Sequence, residues 1–131
     1  MKKTGLATSK GVAYFEYDFS KHGGAVGAIT VSGDVIPEGA IITSGIHHIT
    51  EAVTSGGSAT VAVKALSSED LLAATAKASL TLNALIDTVP DGAAANMIRV
   101  TSNITALTYT VAVAALTAGK IVTALEYVVT A

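Results

Sequence analysis

The sequence has no cysteine and no tryptophan, and only one of its 131 residues is arginine. Without cysteine the chain can form neither disulfides nor thiolate metal sites, and it offers no thiol nucleophile. Its formal net charge is −2, so it lacks the basic face on which nucleic-acid binding depends. We therefore expect no nucleic-acid partner.

Charged residues are also scarce. They make up 14% of the chain, against about 25% in an average soluble protein. Apolar residues make up 50%, yet no uninterrupted apolar run is long enough to span a membrane. A domain of this length has more surface than so few charges can cover, so we expect other chains to cover part of it. This predicts a soluble homo-oligomer, made in a cytoplasm, with no membrane partner.

Alternating large and small side chains predict β-strands. Between Val12 and Phe19, the aromatic residues Phe15, Tyr17 and Phe19 share one face, which we expect to anchor the core. Turn residues recur every eight to twelve positions, which favours an all-β fold, an antiparallel β-sandwich or a jelly-roll-like domain. At most one short helix is expected, near residues 68–76, where a serine cap precedes acidic residues.

The C-terminal stretch predicts a hairpin. One arm covers residues 109–116 and the other covers residues 120–129, with a three-residue loop between them. In this register Tyr109 lies opposite Tyr127, and Gly119 takes the left-handed conformation of the loop. Tyr109, Tyr127 and Gly119 are therefore predicted to be structural residues.

Residues 1–11 differ from the rest of the chain because they show no hydrophobic period and hold three of the eight basic residues. We expect a flexible N-terminal arm here, followed by a single β-sandwich domain over residues 12–131. The arm is a candidate for reaching a neighbouring subunit. The candidate contact residues are the lysines of the arm and one aromatic residue of the first strand: Lys2, Lys3, Lys10 and Tyr14.

No residue pattern predicts chemistry. His47 and His48 are adjacent on what we expect to be a half-exposed strand, so they point to opposite faces and cannot chelate one ion together. Asp18, Ser20 and His22 are the residue types of a hydrolase triad, but no nucleophile elbow or oxyanion hole accompanies them. We therefore predict no catalytic residue, no cofactor and no metal site. A small hydrolase that depends on His22 or His47 is the least favoured alternative.

Three stretches carry a resemblance to a known family. They are residues 14–27 (YFEYDFSKHGGAVG), residues 115–120 (ALTAGK) and the SGGSA turn at residues 55–59. With them, the chain resembles the capsid decoration, or cement, proteins of tailed bacteriophages. The resemblance implies a β-rich, often trimeric protein on the outer capsid surface of the virion, with the major capsid protein as its partner.

Such a protein would cement neighbouring capsid subunits and stabilise the shell, because modest contacts to several subunits combine into high avidity. The alternative function is a carbohydrate-binding or fibre-type module on the virion surface. In that case Tyr14 and the aromatic residues near it would stack on sugar rings. The absence of tryptophan favours the structural role.

Overall fold

A computed structural model describes residues 8–66, 70–88 and 98–130. Within these ranges the chain forms nine β-strands and one short α-helix, α1, over Phe19–His22, with a 3₁₀ turn at Lys77–Ser79. The strands are β1 (Thr8–Asp18), β2 (Gly27–Ile36), β3 (Ala40–Ser55), β4 (Thr60–Lys64), β5 (Leu72–Ala76), β6 (Leu85–Asp87), β7 (Ile98–Arg99), β8 (Ile104–Ala112) and β9 (Leu116–Thr130).

The strands pair antiparallel in the order β5-β4-β8-β2-β1-β9-β3-β6, and β7 also pairs with β3. A single pair, Phe15 opposite Gly33, joins β1 to β2, and the sheet curls there into two layers. We call β1, β9, β3, β6 and β7 sheet A, and β2, β8, β4 and β5 sheet B. The predicted all-β sandwich is confirmed.

The core lies between the two sheets, because every second side chain of a strand points to the same face. Phe15 and Tyr17 of β1 are each 1% exposed, and Tyr109 of β8 is fully buried. The rings of Tyr17 and Tyr109 stack with their centroids 5.7 Å apart, which ties sheet A to sheet B. Phe19, placed in the same aromatic set by the sequence, begins α1 and is partly buried against the core.

The predicted C-terminal hairpin is wrong. Strand β8 pairs with β2 and β4, whereas β9 pairs with β1 and β3. The chain turns earlier, at Val113 with φ 74°, and residues 117–119 continue β9. The large faces of the two strands do meet, but across the sandwich, where the Tyr109 and Thr123 hydroxyls are hydrogen-bonded. The alternation of large and small side chains predicts which faces of two strands meet. It does not distinguish strands that are neighbours in one sheet from strands in two facing sheets.

The two remaining residues of the predicted hairpin mark close approaches between strands. Gly119, with φ 144°, lies against β3, because a Cβ atom there would come within 2.9 Å of Val53 Cγ2. Tyr127 is paired with Gly11 rather than with Tyr109, and a Cβ atom on Gly11 would lie 2.6 Å from the Tyr127 Cζ atom. Each glycine therefore leaves room for a neighbouring strand or ring, and neither is part of a hairpin loop.

The helix predicted near residues 68–76 is also wrong in its described part, because Leu72–Ala76 form β5. Asp70 explains the difference. Its buried carboxylate accepts the backbone N–H groups of Ala65 at 2.7 Å and Leu66 at 2.9 Å, directly after β4. Asp70, an acidic residue of the kind found at helix starts, thus hydrogen-bonds within the connection between β4 and β5. The pairing of β5 with β4 outweighs the local helix propensity of this segment.

Candidate subunit-contact surface

The outer face of sheet A is built by the register of its strands, because residues paired in an antiparallel ladder point to the same side. We call a set of residues paired across the strands a row. Four rows of the outer side of sheet A, read from β1 through β9 and β3 to β7 or β6, form what we call the contact face: Lys10–Val128–Ile41–Arg99, Val12–Glu126–Ser44, Tyr14–Ala124–Ile46–Asp87 and Glu16–Val122–His48–Leu85. The next row on this side, Asp18–Lys120–Glu51, contains the ion pair between Lys120 and Asp18.

The centre of the contact face is apolar and open to solvent. Tyr14 is 56% exposed, Val12 43% and Ile46 40%, and Leu85 at the edge is 67% exposed. The Tyr14–Ala124–Ile46 part of its row crosses three strands without a charged side chain. Neighbouring large apolar side chains that are this exposed are typical of contact surfaces in soluble proteins.

Charged side chains surround this centre unevenly. Lys10 and Arg99 lie in the row at one end, whereas Glu16 lies in the row at the other end. Glu126 and Asp87 occupy the two rows between them. None of these five side chains forms an ion pair within the part of the chain that the structure describes. The contact face thus has an apolar centre around Tyr14 and Ile46, one carboxylate, Glu126, beside that centre on β9, and its other charges at the edges.

Between β1 and β3 the contact face sinks into an open depression of about 300 Å³. Val12 and Ile46 line its apolar part, and the carboxylates of Glu126 and Asp87 line its polar part. The Ser44 hydroxyl donates a hydrogen bond to Glu126 Oε1 at 2.9 Å. Because the same residues form the contact face, the depression is part of that surface.

Behind the contact face, a chain of hydrogen bonds crosses the core. Thr123 Oγ1 contacts the Tyr109 hydroxyl and lies 2.9 Å from His47 Nδ1. On the other side of the ring, His47 Nε2 lies 3.0 Å from Thr88 Oγ1 and 3.5 Å from the Leu71 carbonyl oxygen. The network is satisfied if Tyr109 donates to Thr123, Thr123 donates to Nδ1, and Nε2–H donates to Thr88 or Leu71.

The imidazole in this network is neutral at pH 7. Burial lowers the pKa of His47 to about 4, and the hydrogen bond to the Leu71 carbonyl offsets that effect only in part. Burial likewise raises the pKa of Tyr109. The structure buries His47 completely, in contrast to the predicted half-exposed position, and turns His48 to the contact face. His47 is therefore a neutral, buried member of the network, which reaches sheet B through the bond between Thr123 and Tyr109.

Asp18, Ser20 and His22 meet at α1 as a helix cap. Asp18 Oδ1 accepts the Ser20 backbone N–H at 2.9 Å and the Ser20 hydroxyl at 2.8 Å. His22 Nδ1 accepts the Asp18 N–H at 3.1 Å, and its ring stacks on Tyr17. The bonds from Ser20, together with the charge of Lys120, hold the pKa of Asp18 below its usual value. The serine hydroxyl thus faces the carboxylate, and the base that a nucleophile needs is not beside it.

The predicted contact residues separate into two groups. Tyr14 and Lys10 lie on the contact face, whereas Lys2 and Lys3 lie outside the described residues. Strand β1 begins at Thr8, so the last four residues of the predicted arm are part of the sheet. Among the described residues, no group of three or more histidine, aspartate or glutamate side chains could hold a metal ion. No helix within the described ranges is long and apolar enough to cross a membrane.

Sequence reasoning missed the parts of the contact face that β3, β6, β7 and β9 supply. One signal was present on β1, whose two faces are both rich in large side chains: Tyr14 and Val12 alternate with Phe15 and Tyr17. A strand with one face in the core needs large apolar residues on that face alone. The second set on β1 is therefore the signal for an exposed apolar surface on the outer side of sheet A.

Solved structures of three phage capsids contain chains with this fold. The chain in the cyanophage Pam1 capsid asymmetric unit matches with a TM-score of 0.71 and 20% identity, covering 98% of this chain and 91% of that chain. The chain in the acid-stable capsid of Helicobacter pylori bacteriophage KHP30 gives 0.60 and 16%, covering 95% and 94%. The chain in the capsid of Ralstonia phage GP4 gives 0.64 and 14%, covering 98% and 89%. No family model and no curated protein matches the sequence.

Proposed function

We propose that this protein is a structural component of a bacteriophage virion, which binds the outside of an assembled capsid and cements neighbouring capsid subunits. The contact face is the observation that carries the proposal, because its apolar centre is exposed in the isolated chain and suited to burial against another chain. The likeness in fold to chains of three phage capsids supports a capsid as the setting.

The size of the contact face supports a role that depends on many weak contacts. Its four rows extend for about 20 Å along the strands, and its strands span about 15 Å, from the usual spacings in a sheet. That area is below the roughly 800 Å² per partner that a stable interface buries. A single contact of this size is weak, but several made together on a shell give high avidity and favour the assembled state by mass action.

The proposal extends to the partners. The major capsid protein is the proposed binding partner, and several copies of this chain act together, three of them in the arrangement that the resemblance implies. With a net charge of −2 and a single arginine, the chain suits a protein partner better than nucleic acid. The proposed location is the outer capsid surface.

The test measures binding of the purified protein to capsids of the phage that encodes it, after those capsids have been assembled in the absence of the protein. Co-sedimentation should recover the protein with the shells, and electron microscopy should show added density on their outside. Val12→Ser on the contact face should lower the occupancy, whereas Val35→Ser, the same change at a position 52% exposed on β2, should not. Shells that stay bare at saturating protein would contradict the proposal.

One observation favours the carbohydrate-binding alternative. The Tyr14 ring is 56% exposed, in the same row as three residues that line the depression, Ala124, Ile46 and Asp87. Aromatic rings beside acidic groups are suited to sugars. A glycan array distinguishes the two functions. A signal that disappears in Tyr14→Ala would support the module, whereas a cement protein should give none.

A further inference from the structure

The depression on the contact face combines an apolar wall with two carboxylates. Its apolar part is lined by Val12, Ile46 and Ala124. The carboxylates come from Glu126 on β9 and Asp87 on β6. Its volume of about 300 Å³ is at the lower end of the range for pockets that hold small ligands. The depression therefore has room for one long side chain of a partner.

Neither carboxylate has a cationic partner within the part of the chain that the structure describes. Glu126 Oε1 accepts the hydrogen bond of the Ser44 hydroxyl at 2.9 Å, and the Asp87 carboxylate accepts none from the described residues. Two basic residues of the contact face, Lys10 and Arg99, lie in the row next to Glu126, but neither forms an ion pair with it.

The groups on the other side of the depression do not neutralise it either. Glu16 and His48 lie in the next row, and within the described residues His48 forms no ion pair with Asp87. Lys120, one row further, pairs with Asp18 at 3.9 Å. The basic groups on both sides therefore leave the two carboxylates of the depression available to a cation from another molecule.

We propose that the depression receives a basic side chain, lysine or arginine, from the capsid subunit that the contact face binds. The inference deepens the proposed function and rests on it for the identity of the partner. Val12 and Ile46 pack against the aliphatic part of that side chain, and the carboxylates of Glu126 and Asp87 bind its charged end. Such a contact gives a small, mostly apolar face one specific anchor.

A basic side chain fits the depression better than the other groups that a protein surface offers. An acidic side chain would be repelled by both carboxylates, and an apolar one would leave them desolvated without a partner, which is unfavourable. Lysine and arginine combine a hydrocarbon stem with several donors, so they match the apolar wall and the carboxylates together. The hydrogen bond from Ser44 holds the Glu126 carboxylate in place before binding.

Conservative variants test the carboxylates on capsid shells. Glu126→Gln and Asp87→Asn keep the shape of the side chain and remove one charge, so each should raise the dissociation constant for shells about tenfold. Glu38→Gln removes the same charge at an exposed position between β2 and β3, outside the contact face, and should bind as wild type does. Because salt screens charges, rising salt should weaken wild type more steeply than the Glu126→Gln, Asp87→Asn double variant. Thermal unfolding checks that each variant is folded.

A small cation tests the depression on the full chain without shells. n-Butylguanidinium carries the charged group of arginine on a short hydrocarbon chain, and a ligand of this size should bind with a dissociation constant of about millimolar. In NMR spectra it should shift the backbone amide signals of Gly45 and Ile46, which line the depression. The shifts should be lost in the double variant, and n-butanol, which has no charge, should not reproduce them.

The outcomes distinguish the inference from the proposed function. Shells that bind wild type and the double variant equally at every salt concentration would overturn the inference and leave the function standing. If the shells stay bare, the function is contradicted, and the small cation alone decides whether the depression takes a basic group. Signals that methyl glucoside shifts and n-butylguanidinium does not would overturn the inference in favour of the carbohydrate-binding alternative.

Discussion

The outer sides of the two sheets differ in composition, although their inner sides form one core. The contact face of sheet A holds four of the nine large hydrophobic side chains that are exposed among the described residues. The outer side of sheet B instead carries small and hydroxyl-bearing residues and one lysine in its paired rows: Ala28, Thr110 and Ala62, and Thr30, Thr108 and Lys64. Threonine suits a strand that faces water, because it is β-branched and its hydroxyl is hydrated. With few charges available, sheet A therefore exposes large apolar side chains to solvent, whereas sheet B exposes small side chains and hydroxyl groups.

The largest effect on the free energy of unfolding is expected from a substitution on the buried side of β1, compared with one on its exposed side. Phe15→Ala removes a buried ring and leaves a cavity, so the free energy of unfolding should fall by about 3–5 kcal/mol. Tyr14→Ala, one residue away on the contact face, should change it by less than about 1 kcal/mol in the dissociated chain. Denaturant unfolding at low protein concentration measures both. Equal losses would contradict the assignment of the two faces.

A smaller effect on stability is expected from the hydrogen-bond network of His47, which lies in the core between the two sheets. Burial lowers the pKa of His47 to about 4 from 6.5, so the unfolded state takes up the proton first. Stability should be complete above pH 6.5 and fall as the pH drops towards 4, by about 3 kcal/mol in all, with about 2 kcal/mol of that lost by pH 5.

Unfolding measured between pH 7 and pH 5 checks this expectation. His47→Gln should be less stable at pH 7, because it disturbs the bonds to Thr123 and Thr88, but it should lose most of the pH dependence. His48→Gln on the contact face should keep the slope of wild type. If His47→Gln kept the full slope, the loss of stability would have another origin.

The smallest effect is expected on sheet B. Thr108→Val replaces a half-buried hydroxyl on its outer side with a methyl group. The free energy of unfolding should change by no more than about 0.5 kcal/mol, and the sedimenting mass should stay the same. A marked change in association would mean that sheet B also carries a contact surface.

Local patterns predicted the parts of the fold that depend on neighbours in sequence. The alternation on β1 was enough to put Phe15 and Tyr17 on the buried side and Tyr14 on the other. Pairing between distant strands was not predicted, because the match of large faces between residues 109–116 and 120–129 is satisfied across the sandwich as well as within a sheet.

The same limit applies to the contact face and the buried network. Ile46 and Glu126 join Tyr14 only through the register of β3 and β9, and a bulge between Ile42 and Ser44 helps to set that register. Such irregularities have no clear signature in a sequence of alternating small residues. Thr123 lies between Ile121 and Leu125 on the inner side, so a polar residue in an apolar series was the available sign of the network.

Gly33 lies where the two sheets join. It lies opposite Phe15 at the pair that joins β1 to β2, and a Cβ atom there would collide with the Tyr14 carbonyl oxygen and the Phe15 ring. The two layers therefore come close at this point, where the Phe15 ring lies against Gly33 and the Asp34 carboxylate accepts the Tyr14 N–H at 3.0 Å. If the chain acts in many copies, as proposed, a larger side chain at position 33 would displace the outer surface of sheet A relative to sheet B in the same way in each copy.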